Sequence, residues 1–164
     1  MSPGEAPKAG SSARSPDASG RPTCTYYDTS ALVKLVVVEP ESGALRTHWL
    51  SRPRPVSSAL ARTELMRALG DVPGETKAQA RALLAALEQV ALDDQLLDSA
   101  ANLGPDVLRT LGAIHLASAL SLGDSLAEVV TYDQRMAGAA RNLGLAVAAP
   151  SAAGPDPAAV LPHT

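Results

Sequence analysis

The stretch Thr25-Tyr26-Tyr27-Asp28-Thr29-Ser30-Ala31-Leu32-Val33-Lys34-Leu35 changes its period in the middle. Up to Tyr27 it is a short run of β-formers. From Ser30 the apolar positions follow a helical repeat, and Asp28 stands at the join. A strand that ends in an acid and passes straight into a helix is the opening of a βαβ unit. In an open parallel sheet the carboxyl ends of the strands face a crevice, so Asp28 is a candidate site residue as well as a candidate helix cap.

Working outward, short β-like runs alternate with helical ones, which predicts an α/β domain with a central parallel sheet of about four or five strands flanked by helices. Cys24 to Tyr27 is the first strand. Helices are expected over Ser30 to Val38 and Glu41 to Ser51, with Pro40 between them. Arg54 to Ser57 reads as a second strand, and Ser58 as the cap of a helix reaching Leu69. After a turn over Gly70 to Gly74, an Ala/Leu-rich helix is predicted for Glu75 to Val90. Ala91 to Asp93 is then the third strand, Gln95 to Ala101 a helix and Asn102 to Pro105 a loop. The run Leu111-Gly112-Ala113-Ile114-His115-Leu116-Ala117 belongs to a buried helix, because it is apolar nearly all round. Glu128 to Tyr132 is the fourth strand and Gln134 to Leu143 a helix closed by Gly144, and Leu145 to Ala149 completes the sheet. Residues 1–22 are rich in Ser, Pro and Gly without a period and are expected to be a disordered tail; 151–164 are expected to be a flexible one. The ordered domain is thus placed at 23–150.

Composition narrows the function classes. Apolar residues make up 46% of the 164, yet there is no Phe, one Trp and three Tyr, so the core is built from small aliphatic side chains. No run approaches the roughly 18 apolar residues of a membrane span, and no signal-peptide pattern opens the chain, so a cytoplasmic protein is expected. Cys24 has no partner for an internal bridge and no metal-binding spacing around it, and reads as a core side chain. A net charge of −3 argues against coating nucleic acid by general electrostatics.

Three carboxylates carry the chemistry. Asp133 repeats the context of Asp28, at the end of a strand pattern and the start of a helix, and two such aspartates on neighbouring strands would converge. Glu64 lies against the apolar stripe Ala61, Leu65, Ala68 and Leu69, where an ionised group needs a basic partner or a cation. Arg67 at i+3 is the structural candidate for that partner. His115 reads as a buried histidine held by one hydrogen bond, since no nucleophile motif accompanies it. Ser30 and Thr131 are supporting candidates beside the two aspartates. Three hard oxygen donors without a Cys or His set favour Mg²⁺ or Mn²⁺ over zinc, and a carboxylate-held divalent ion suits phosphodiester hydrolysis. Arg62, Lys34, Arg109 and Arg135 lie close to the acidic segments and are candidates for phosphate or partner contacts, with solvated surface charge as the alternative for each.

The segments Tyr-Tyr-Asp-Thr-Ser-Ala-Leu-Val-Lys-Leu, Ser-Ser-Ala-Leu-Ala-Arg-Thr-Glu-Leu, Leu-Arg-Thr-Leu-Gly-Ala-Ile-His-Leu-Ala-Ser-Ala-Leu and Val-Thr-Tyr-Asp-Gln-Arg-Met resemble, in order and spacing, the four signature segments of PIN-domain ribonucleases, especially VapC-type toxins. The resemblance covers about Thr23 to Pro150. It implies Mg²⁺- or Mn²⁺-dependent cleavage of an RNA such as tRNA or rRNA, a VapB-type antitoxin whose C-terminal tail fills the acidic groove, and a homodimer. By the same resemblance Asp28, Glu64 and Asp133 match the first, second and fourth acids of the site. The third departs: the family pattern Leu-Asp-Ala-Ile-His-Leu-Ala has aspartate where this chain has Gly112. In the first turn of a buried helix an aspartate is favoured by the helix dipole, whereas glycine costs up to ~1 kcal/mol relative to alanine. Gly112 is therefore a vacancy in the expected ligand set, which implies weak metal binding and poor cleavage. A pseudoenzyme that binds antitoxin or RNA without cutting is the competing reading, and a generic α/β domain whose acids only cap and pair is a third.

Overall fold

The computed structural model describes residues 20–103 and 108–151. A five-stranded parallel sheet runs in the order β3-β2-β1-β4-β5, from strands β1 (Cys24–Tyr27), β2 (Pro55–Ser58), β3 (Glu88–Val90), β4 (Leu126–Val130) and β5 (Val147–Ala148). The helices are α1 (Thr29–Val36), α2 (Ser42–Ser51), α3 (Ala61–Leu69), α4 (Gly74–Ala86), α5 (Asp94–Ala101), α6 (Thr110–Leu120) and α7 (Gln134–Asn142). The expected α/β architecture is the one observed.

The layers follow from the two-residue period of the strands. On β1, Tyr27 packs with Leu32, Leu45, Leu65, Leu84 and Val130 against α1 to α4, while Cys24 and Tyr26 pack with Val56, Val129, Ala119 and Met136 against α6 and α7. All four residues of β1 are buried, as a central strand covered on both faces requires. The chain adds β2 and β3 on one side of β1, then crosses to add β4 and β5 on the other. The strand order therefore reverses between β1 and β4, and that gap at the carboxyl ends is where ligands bind in open parallel sheets.

Four local expectations are corrected. The helix predicted from Glu75 to Val90 stops at Ala86, and Glu88–Val90, rather than Ala91 to Asp93, pairs with β2 as the edge strand. Ladder hydrogen bonds and the ion pair between Arg54 and Glu88 (2.6 Å) outweigh the helix propensity of this Ala/Leu run. Ser58 ends β2 instead of capping α3, although its hydroxyl still accepts from the Leu60 N–H. Ala68 is exposed, so the buried stripe of α3 is Ala61, Leu65 and Leu69. Finally, β4 ends at Val130 and not at Tyr132. Gly144 does close α7, with a φ of +79° that the left-handed position demands. The parts of the expected tails at 1–19 and 152–164, and of the expected loop at 104–107, lie outside the described residues. No described helix is long and apolar enough to cross a membrane.

Candidate active site

The register of β1 and β4 builds the site. Tyr27 pairs with Val130, so the residues one step beyond each strand, Asp28 and Thr131, face each other across the switch point. The Thr131 hydroxyl donates to Asp28 Oδ2 (2.8 Å) and accepts from the Asp133 N–H (3.1 Å). From the other side the Ser30 hydroxyl donates to Asp28 Oδ1 (2.6 Å) and accepts from the Tyr132 N–H (2.8 Å). Two hydroxyls thus stitch the β1–α1 corner to the β4–α7 corner and orient the carboxylate between them. Ser30 spends its one proton on Asp28, so its place is to position that acid rather than to bond a water on a cation.

Each aspartate also caps the helix that follows it. Asp28 Oδ1 accepts from the Ala31 N–H (3.2 Å), and Asp133 Oδ1 accepts from the Arg135 and Met136 N–H groups (2.8 and 3.1 Å). Capping uses one oxygen of each carboxylate and leaves acceptor capacity on the other. Asp28 is buried, and desolvation pushes its carboxyl above the ordinary range despite the Ser30, His115, Thr131 and Ala31 interactions that oppose it. Asp133 is exposed.

Glu64 enters from α3. Its Oε2 is held by His115 Nε2 (2.6 Å) and by the Thr29 hydroxyl. The expected partner Arg67 is replaced by this contact, because α3 turns Glu64 toward α6 rather than along its own surface. Burial pushes the Glu64 carboxyl up, but the His115 and Thr29 hydrogen bonds more than offset that and hold it below its ordinary value. His115 is 4% exposed and makes more than the single bond expected of it: Nδ1 lies 2.7 Å from the Tyr26 hydroxyl and Nε2 3.2 Å from Thr29 Oγ1. Tyr26 and Thr29 are therefore site neighbours that sequence reasoning passed over, and His115, read there only as a buried histidine held by one hydrogen bond, joins them. The only local signal was a polar ring placed in an otherwise apolar helix.

Gly112 lies in the first turn of α6, three residues before His115 and on the same side of the helix. Its backbone is an ordinary helical one, and a Cβ there would meet only the Leu108 side chain, with Cδ2 nearest at 3.3 Å and Cβ and Cγ at 3.7 and 3.9 Å. Neither conformation nor crowding calls for glycine. Among the described residues no three acidic, His or Cys side chains form a ready metal cluster. The donors nevertheless suit Mg²⁺ or Mn²⁺ in kind, since such ions are commonly held by one or two carboxylates and several waters. Beside Glu64, a groove of about 470 Å³ is lined by Thr29, Leu60, Thr63, Glu64, Arg67, Ala68 and Leu111.

Of the basic candidates, Arg62, Arg109 and Arg135 are exposed. Lys34 is engaged with Glu39 and with Glu41 (3.1 Å), and rests 4.9 Å above the Tyr132 ring. That makes it a brace of the α1–α2 corner. Thr131→Val, which removes one donor and one acceptor at a buried position, is expected to lower stability by roughly 1–3 kcal/mol and to appear as a reduced Tm in thermal denaturation.

The sequence profile of the PIN domain matches residues 25–142, which include all of these positions. The chain belongs to the PIN-domain family. Ribonuclease VapC46 of Mycobacterium tuberculosis (strain ATCC 25618 / H37Rv) is 52% identical to it over 126 residues, 77% of this chain and 97% of that protein. Ribonuclease VapC47 of Mycobacterium tuberculosis (strain CDC 1551 / Oshkosh) is 41% identical over 134 residues, again 77% and 97% of the two chains. Within the PIN domains the chain thus falls among the VapC-type proteins. The solved structure of Mycobacterium tuberculosis VapC20, a sarcin-ricin loop cleaving toxin, shares the fold with a TM-score of 0.60 at 16% identity, over 70% of this chain and 94% of that one. A toxin-antitoxin complex from Klebsiella pneumoniae contains a chain that matches with a TM-score of 0.56 at 20% identity, over 70% and 91%.

Proposed function

We propose that this PIN-domain protein is a Mg²⁺- or Mn²⁺-dependent endoribonuclease toxin, neutralised by a VapB-type antitoxin, with cleavage impaired by Gly112. The observation that carries the reading is the buried Asp28 at the switch point, oriented by the Ser30 and Thr131 hydroxyls, with Thr131 also bonded to the Asp133 N–H and the adjacent Thr29 bonded to Glu64. Burial alone disfavours its charged form, which is the condition under which a carboxylate gains most from a nearby cation. Relatives at 52% and 41% identity bear the name ribonuclease, which supports RNA as the substrate class.

In this reading Asp28, Asp133 and Glu64 would hold the cation, each through acceptor capacity left over from the hydrogen bonds that orient it. When bound, the ion supplies charge neutralisation at the scissile phosphate and acidifies a coordinated water. The protein contributes orientation: Ser30 and Thr131 fix Asp28, the backbone of α7 fixes Asp133, and His115 with Thr29 fixes Glu64. Gly112 withholds a fourth carboxylate from the α6 side.

That vacancy and the absence of a ready cluster among the described residues favour a second reading, a pseudoenzyme that binds antitoxin or RNA without cutting. Titration of the purified protein with Mn²⁺, paired with an RNA cleavage assay on the native and Gly112→Asp proteins, separates the two. Weak Mn²⁺ binding and slow cleavage by the native chain, both strengthened by the aspartate, support the impaired nuclease. Cleavage by neither protein supports the binding module. Brisk cleavage by the native chain with no gain from Gly112→Asp removes the idea that Gly112 impairs it.

A further inference from the structure

Glu64 reaches the site on a side chain with three rotatable bonds, and it is held there by a chain of hydrogen bonds that crosses the molecule. The Tyr26 hydroxyl is 2.7 Å from His115 Nδ1, and His115 Nε2 is 2.6 Å from Glu64 Oε2. Tyr26 belongs to the central strand and is fully buried, and its phenol O–H can donate as well as accept. A ring nitrogen that accepts from the phenol leaves the other to carry the hydrogen. Glu64 Oε2 can only accept, so the imidazole hydrogen is assigned to Nε2, pointing at Glu64, with Nδ1 turned to the phenol. With Thr29 on the same oxygen, Oε2 is filled, and the acceptor capacity left to the carboxylate is that of Oε1.

We propose that Tyr26 and His115 are positioning residues for Glu64: the phenol sets the imidazole tautomer, the imidazole fixes Oε2, and Oε1 is thereby presented to a divalent cation that neither residue touches. The inference rests on the metal-site reading above. It assigns His115 a place in the site although it is neither a ligand nor a nucleophile, in the way that outer partners commonly orient metal-binding carboxylates and imidazoles.

The experiment is Mn²⁺ binding to the full-length chain, followed by electron paramagnetic resonance of the free ion. It compares the native protein with His115→Leu, His115→Gln and Tyr26→Phe, using circular dichroism as the control for folding. His115→Leu is expected to weaken Mn²⁺ binding by about tenfold or more, the scale of outer-partner losses. His115→Gln, whose amide N–H can reach the same oxygen, is expected to stay within about threefold of native, and Tyr26→Phe to fall between the two. Native affinity in folded His115→Leu overturns the proposal, as does an equal loss in His115→Leu and His115→Gln. Should His115→Leu fail to fold, Tyr26→Phe decides: weaker binding supports the relay and unchanged binding rejects it. The titration is run in parallel on the Gly112→Asp background. Absence of Mn²⁺ binding by both the native and Gly112→Asp proteins rejects the metal-site reading itself, and the relay with it.

Discussion

Gly112→Asp is expected to raise Mn²⁺-dependent RNA cleavage by on the order of 10²-fold, the scale on which one charge-stabilising group in an active site alters a rate. Position 112 is the third residue of α6, where the helix dipole favours an anion and where the side chain shares a face with His115, the residue that holds Glu64. A Cβ there presses only on the end of the flexible Leu108 side chain, which needs to give a few tenths of an ångström. Local cost is therefore small, and replacing a helical glycine offsets part of it. The larger effect is electrostatic. Without metal, a further carboxylate on the face of α6 that holds Glu64 adds repulsion; in the proposed metal site, the same charge would become a ligand. Thermal denaturation should show this as a wider gap between the Tm values with and without Mn²⁺ than in the native chain, because a ligand stabilises only the state it binds. An unchanged gap together with unchanged cleavage would mean that position 112 does not face the cation.

What was legible in the sequence was local. The switch from β-former to helical period at Asp28, and again at Asp133, announced both the βαβ architecture and the two acids, because strand, cap and helix are contiguous in the chain. The partner of Glu64 was not legible, since it lies 51 residues away on α6, and a histidine among aliphatic residues gives no hint of what its two nitrogens reach. Sequence spacing offered Arg67 instead, because i+3 neighbours are the only contacts a linear reading can place. Thr131 became central through register: only the pairing of Tyr27 with Val130 sets its hydroxyl opposite Asp28. The edge strand Glu88–Val90 was hidden for the opposite reason. Its residues continue an Ala/Leu helix in propensity, and the β2 edge that claims them cannot be seen from within the segment. Gly112 stood out against the family pattern and as a glycine in a buried helix, where it costs up to ~1 kcal/mol relative to alanine, and the structure adds that neither φ nor crowding demands it.

Asp28→Asn should separate stability from metal binding. The folded carboxyl titrates above its unfolded value, chiefly through desolvation, so its contribution to stability is present below the unfolded pKa near 4 and is lost as pH rises through the folded value. Above that window the metal-free protein carries a buried anion that the Ser30, Thr131 and Ala31 donors do not fully compensate. Asparagine keeps the shape and an oxygen that can accept from Ser30 and from the Ala31 N–H, while its amide N–H₂ can turn toward Thr131 Oγ1. The metal-free variant is therefore expected to melt above the native protein at pH 7, each ~1 kcal/mol gained appearing as roughly 2–4 °C, and the difference should close as pH falls below about 4. The cost falls on function: stabilisation by Mn²⁺ should disappear, and cleavage in the Gly112→Asp background should drop by about 10²-fold or more. Parallel Tm–pH curves for the two proteins, each with and without Mn²⁺, read every part of this. A variant that melts below the native chain at every pH would make Asp28 a structural cap first, and one that keeps its full Mn²⁺ stabilisation would place the cation elsewhere.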